Sequence, residues 1–155
     1  MPNPQTLFQL QADAAYQRDG ALRGWNALRQ WVAEKEHFSD AAEMTVTTPQ
    51  NGTGAATVVS TQATRLYGVL IDSSGSAGFL VMHNSVASTV GVTAISMVIP
   101  FAANQSKVVS IFASDYDTAN DFATGITIGT VTAVATSTAI GTAVNKVTLL
   151  TDSVP

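Results

Sequence analysis

The sequence predicts a mainly β protein, an antiparallel β-sandwich of jelly-roll type that carries an N-terminal helical arm. Eight apolar runs of strand length follow one another, separated by turn-forming residues and with no helical pattern between them. The charge distribution supports a division into two parts, because residues 1–44 contain ten charged residues and residues 45–155 contain eight. We therefore expect a helical arm over residues 1–44 and a β knob domain over residues 45–155.

The arm is expected to contain two helical segments. Gly20 and Gly24 are expected to interrupt the first segment, since glycine costs about 1 kcal/mol relative to alanine inside a helix. The second and stronger helix is predicted from Ala21 to His37, because large apolar side chains recur there at spacings of three and four. The residues of this apolar stripe are Leu22, Trp25, Leu28 and Val32, with Trp31 beside them.

The knob is expected to consist of eight strands joined by polar turns such as PQNGTG, SSGSAG and ANQS. The predicted strands are Met44–Thr48, Ala56–Thr61, Arg65–Asp72, Gly78–Asn84, Ala94–Ile99, Lys107–Ala113, Ile126–Val134 and Val144–Thr151.

The stretch from Arg65 to Ser85 looks like a β-hairpin whose first strand is apolar on both faces. Alternation places Tyr67, Val69 and Ile71 on one face and leaves Leu66 and Leu70 on the other. A strand with one solvated face carries polar residues there, so a second apolar face requires a cover. Either the N-terminal helix or another subunit could supply that cover, and the sequence leaves both possibilities open.

Composition argues against several functional classes. Only 12% of the residues are charged and the net charge is −4, so the chain has no basic patch that would bind a nucleic acid backbone. It contains no cysteine, which excludes disulfides and thiolate metal sites. No signal-peptide pattern is present at the N-terminus, and no apolar run reaches the length of a membrane helix. We expect neither nucleic acid nor membrane among the partners.

Few residues form a pattern that suggests chemistry. His83 and His37 are expected to have structural roles, because two histidines without cysteine provide little for a transition-metal site. Asp115, Asp117 and Asp121 could supply oxygen ligands to calcium, but the spacing does not match an EF-hand loop, and a solvated loop is the simpler interpretation. No nucleophile elbow or phosphate-binding loop is present. We therefore predict a protein without enzymatic activity and without a cofactor.

Three segments together resemble a β-domain found in virion proteins of tailed bacteriophages. They are TRLYGVLIDSSGSAGFLVMHNS, ISMVIPFAANQSKVVSIF and FATGITIGTVT. The resemblance covers about residues 57–150 and consists of strands and turns without a catalytic signature. It departs from the family pattern at PFAANQS and in the acidic DYDTAND segment.

The resemblance implies a capsid cement or decoration protein, located on the capsid exterior of the virion. Such a protein would bind the major capsid protein as a homotrimer and stabilise the shell. We expect the arm to anchor the protein on the capsid through Leu22, Trp25, Leu28, Trp31 and Val32. We expect trimer contacts through Tyr67, Val69, Ile71, Phe79 and Val81.

Two other functions stay open at this stage. One is a tail or head-fibre component that recognises the host surface, for which the DYDTAND segment would be the candidate loop. The other is a carbohydrate-active β-sandwich enzyme, although the sequence places no pair of acids on its predicted strands.

Overall fold

The computed structural model of the chain describes residues 18–30, 42–111, 121–140 and 145–153. Within these residues the fold is mainly β with one short helix, and the sheets are antiparallel apart from one short parallel pair. The helix, here α1, covers residues 18–30 in the described part of the chain. The described strands are β1 Ala42–Thr47, β2 Gln50–Asn51, β3 Gly54–Ala55, β4 Thr57–Ser60, β5 Thr64–Ser73, β6 Gly78–Asn84, β7 Thr89–Val90, β8 Met97–Phe101, β9 Ser106–Ser110, β10 Asp121–Phe122, β11 Ile126–Val131 and β12 Asn145–Ser153.

Most of these strands belong to two five-stranded sheets. In sheet A the order is β1-β12-β5, and both β9 and β10 pair with the other edge of β5. In sheet B the order is β8-β6-β11, and both β4 and β2 pair with the other edge of β11. Strands β3 and β7 form a separate two-stranded sheet, sheet C.

One hydrophobic core draws side chains from both large sheets. Strand β12 contributes Val147 and Leu149 from sheet A, and β6 contributes Leu80 and Met82 from sheet B. Alternate residues of the same strands point away from this core, as expected from the two-residue period of a strand. Leu150 and Val81 are such residues, and each belongs to a different, smaller cluster.

The stretch from Arg65 to Ser85 is not a hairpin, and that prediction was wrong. Its first run is β5 in sheet A and its second run is β6 in sheet B, and the two strands do not pair with each other. The turn between them instead passes from one sheet to the other. It is fastened to the β8–β9 turn, where the Ser73 amide donates to the Gln105 carbonyl at 2.8 Å and the Gly75 amide donates to Asn104 Oδ1 at 3.0 Å.

The eight predicted strands and part of the predicted second helix are confirmed where they fall on described residues, whereas the predicted interruption of the helix at Gly20 and Gly24 was wrong. Each of the eight predicted strands overlaps one of the eight longer strands, whereas the four two-residue strands were not predicted. Helix α1 confirms the predicted helix over residues 21–30, but it runs through Gly20 and Gly24 without interruption. The first predicted helical segment and residues 31–37 of the second lie outside the described residues, apart from residues 18–20, which belong to α1.

Candidate assembly surfaces

Helix α1 covers the face of sheet A that points away from the core. Trp25 is only 3% exposed and packs with Tyr67, Leu70 and Leu150, while Leu28 and Val108 border this cluster. The second apolar face of β5 is therefore covered by the chain's own helix. Of the two covers that the sequence left open, the structure places the helix on this face.

Two features of sheet A accommodate the helix. Gly68 leaves space for it, because a Cβ at this position would collide with Leu28 Cδ2 and lie 3.3 Å from Trp25 Cζ3. Glu43 on β1 provides the polar contact, since its Oε1 accepts a hydrogen bond from Trp25 Nε1 at 2.8 Å and lies 2.8 Å from Arg29 Nε. The indole is thus buried with its N–H satisfied, as buried tryptophans require.

The predicted capsid anchors occupy different environments. Trp25 is buried against its own sheet, so the prediction that it anchors the protein on a capsid is corrected: its side chain fixes the helix instead. Leu28 is half-buried beside it, and Leu22 is 42% exposed. Trp31 and Val32 lie outside the described residues.

The predicted trimer contacts are mostly inaccessible to a second subunit. Val69 and Ile71 belong to the core cluster that both sheets share, whereas Tyr67, predicted on the same face, packs with Trp25 of α1. Leu66, predicted on the opposite face, lies in the core instead. Val81 is buried in a cluster with Val90, and Phe79 borders the same cluster and is half-buried. The prediction assumed that β5 and β6 form a hairpin with one uncovered apolar face. In the structure the two strands belong to different sheets, and the chain itself covers the outer face of each strand.

Sheet B has its own cover on the face that points away from the core. Val90 of β7 and Ala56 pack on Val81 and Val131. Gly129 of β11 makes room for them, because a Cβ there would lie 2.5 Å from Val90 Cγ2. Sheet C and the connections next to it therefore shield the middle of this face.

Within the described part of the chain, one of the two large sheets carries charged residues and the other carries none. Every described Lys, Arg, Asp and Glu belongs to α1 or to a strand of sheet A. No charged residue occurs between Glu43 and Arg65, between Asp72 and Lys107, or between Asp121 and Lys146. We use the term neutral layer for sheets B and C together with residues 85–96 and 132–140, which connect or follow their strands.

The neutral layer also carries most of the exposed large hydrophobic side chains. Six such side chains are exposed among the described residues, and only Leu22 lies outside the neutral layer. The other five are Val58, Val86, Val92, Ile95 and Val98. Val58 and Val98 lie on strands at opposite edges of sheet B, and Val92 is 78% exposed in the turn after β7. The sequence contained the signal for this layer, namely its charge-free runs, but only the strand pairing assigns those runs to sheets B and C and their connections.

The neutral layer also contains a buried histidine on β6, whose ring nitrogens bond to no hydroxyl group among the described residues. His83 is fully buried, and its Nδ1 donates to the Ala94 carbonyl at 3.0 Å. Its Nε2 has no hydrogen-bond partner among the described residues. The neighbouring hydroxyls bond to each other instead, with Thr127 Oγ1 donating to Ser88 Oγ at 2.6 Å. A nucleophile activated by His83 would need a hydrogen bond to one of the ring nitrogens.

The described end of the acidic segment is engaged in an ion pair. Arg65 Nε lies 2.6 Å from Asp121 Oδ1, and Arg65 Nη2 lies 3.0 Å from Oδ2. The hydrogen bond to Asp121 raises the pKa of Arg65 above its ordinary value. Both carboxylate oxygens of Asp121 therefore accept hydrogen bonds from Arg65. Asp115 and Asp117 lie outside the described residues, and the described residues contain no cluster of acids and histidines that could hold a metal ion.

Comparisons with known proteins identify no relative of this chain. No protein-family model, no curated protein and no solved structure matches this chain. Within the described residues, no helix is both long and apolar enough to span a membrane.

Proposed function

We propose that the two large sheets pack face to face as a jelly roll. The shared core supports this arrangement, and so does the strand pairing. If only the eight longer strands are numbered, the first pairs with the eighth, the second with the seventh, the third with the sixth and the fourth with the fifth. These four pairs form the rungs of one long hairpin, and winding that hairpin into two layers produces a jelly roll of eight strands.

We further propose that the protein is a structural protein of a tailed-bacteriophage virion and has no enzymatic activity. In this proposal it is a capsid cement or decoration protein that binds the major capsid protein on the outside of the shell as a homotrimer. The observation that carries the proposal is the neutral layer, because a soluble domain with one side free of charge and several exposed apolar side chains is suited to contact other proteins. The resemblance of three segments to virion β-domains is the reason for proposing that the protein is part of a phage particle.

The mechanism in this proposal is burial repeated over many contacts. Fully burying one valine or leucine side chain contributes about 1.5–3 kcal/mol, so a few exposed side chains give only modest affinity on their own. A trimer repeats each contact three times, and linked contacts bind far more tightly than single ones. Leu22 is the described residue of the arm that remains exposed for a capsid contact, while Trp31 and Val32 stay predictions.

The test is the copy number of this protein in purified particles from cultures that produce it. Quantitative mass spectrometry against isotope-labelled peptides measures its ratio to the major shell protein. A cement protein is expected at a copy number comparable with that of the shell protein. A few copies per particle would support the alternative of a tail or head-fibre component, and absence from particles would overturn the proposal.

A further inference from the structure

We infer that the neutral layer is the surface through which copies of this chain contact one another. This inference deepens the proposed function by naming the self-association surface, and it rests on the proposed face-to-face packing of the two sheets. The inferred contact surface consists of exposed side chains, unlike the predicted trimer contacts Tyr67, Val69 and Ile71, which are buried. Those side chains are Val58, Val86, Val92, Ile95 and Val98.

The chemistry of the layer restricts its partner. A charged surface packed against it would lose hydration without gaining an ion pair, since the described residues of the layer offer no charge of either sign. The partner must therefore present an equally uncharged apolar face. A second copy of this chain presents such a face at equal concentration.

The placement of charge on the other side favours the same partner. The described charges of α1 and sheet A comprise six positive and five negative side chains, so a charged partner can form ion pairs there but not on the neutral layer. A charged partner is therefore expected to bind α1 and sheet A, which leaves the neutral layer to an equally uncharged face such as that of a second copy.

Sedimentation velocity over a range of concentrations tests the inference on the full chain and on two single variants. Val92→Asp places a charge on the neutral layer at a side chain that is 78% exposed, so the fold of the single chain should tolerate it. Leu22→Asp places the same charge at an exposed apolar side chain of α1 and is the matched control. Circular dichroism and thermal melting of each variant confirm that it is folded.

The expected result is that the wild-type chain and the Leu22→Asp variant self-associate alike. The Val92→Asp variant should associate at least about tenfold more weakly, because an unpaired charge then enters the interface. The Val98→Asp variant, altered on an edge strand of the same layer, should behave in the same way. The inference is overturned if the wild-type chain stays monomeric at every concentration, or if Leu22→Asp weakens association and the neutral-layer variants do not. Particle copy number is independent of this result, so the proposed role in a virion particle and the inferred self-association surface can fail separately.

Discussion

Sheet A and sheet B each carry apolar side chains on the face turned away from the shared core, and each has a glycine beneath its cover. On sheet A the glycine is Gly68 and the cover is helix α1, held by Trp25 and Leu28. On sheet B the glycine is Gly129 and the cover is Val90 of sheet C. The burial is similar, but the outer surfaces differ, because the cover of sheet A is charged and the cover of sheet B is not.

The difference shows that two-sided apolar strands do not by themselves indicate a missing subunit. Each sheet covers the apolar middle of its second face with another part of the same chain. What distinguishes the side that we expect to meet another protein is the absence of charge together with exposed Val92, Ile95 and Val98. The following variants separate the two covers by the size of their effects.

Trp25→Ala is expected to have the largest effect on stability. It removes the side chain that fills the space between α1 and sheet A, and truncation of a buried tryptophan typically costs about 3–5 kcal/mol. The free energy of unfolding from urea titration measures the loss. Leu22→Ala on the same helix is the control and should cost about 0.5 kcal/mol or less, because Leu22 is exposed. A loss below about 1 kcal/mol for Trp25→Ala would mean that the helix does not cover the sheet.

The two glycines allow a direct comparison of the covers. Gly129→Ala should cost about 2 kcal/mol, since its Cβ would press on Val90, a stiff β-branched side chain in a paired strand. Gly68→Ala should cost about 1 kcal/mol, because the end of the flexible Leu28 side chain can move aside. Thermal unfolding of both variants shows which substitution causes the larger loss of stability. Equal losses would contradict the view that the helical cover adjusts more easily than sheet C.

The polar contact under the helix should have the smallest effect. Glu43→Ala removes the acceptor of the Trp25 indole N–H and should cost about 1 kcal/mol. Arg29→Ala removes only a partly exposed ion pair with the same carboxylate and should cost about 0.5 kcal/mol or less. Urea titrations of the two variants distinguish these values. A larger loss for Arg29→Ala would show that the ion pair, rather than the indole hydrogen bond, fixes the helix.

Much of the fold was predictable from local patterns. The eight longer strands follow from apolar runs bounded by turn residues, and residues 21–30 of α1 follow from the spacing of Leu22, Trp25 and Leu28. The two-residue strands were not predictable, because pairs such as β3 and β7 are too short to show alternation. They form where the sheets around them already hold the chain in place.

The candidate surface was less predictable, for a topological reason. A turn between two apolar runs looks the same whether it joins neighbours in one sheet or crosses between two sheets, so β5 and β6 looked like a hairpin. That error assigned Val69 and Ile71 to an interface, although they lie in the core. The charge-free runs were visible in the sequence, but their grouping on one layer depends on long-range strand pairing.

Hydrogen–deuterium exchange at low and high protein concentration tests the central claim most directly. The claim is that the chain covers sheet A with its own helix and leaves the neutral layer to other copies of itself. The expected result is slower exchange at high concentration in peptides that span residues 85–98, with unchanged exchange in residues 18–30. Concentration-dependent protection of residues 18–30 without protection of residues 85–98 would contradict the claim.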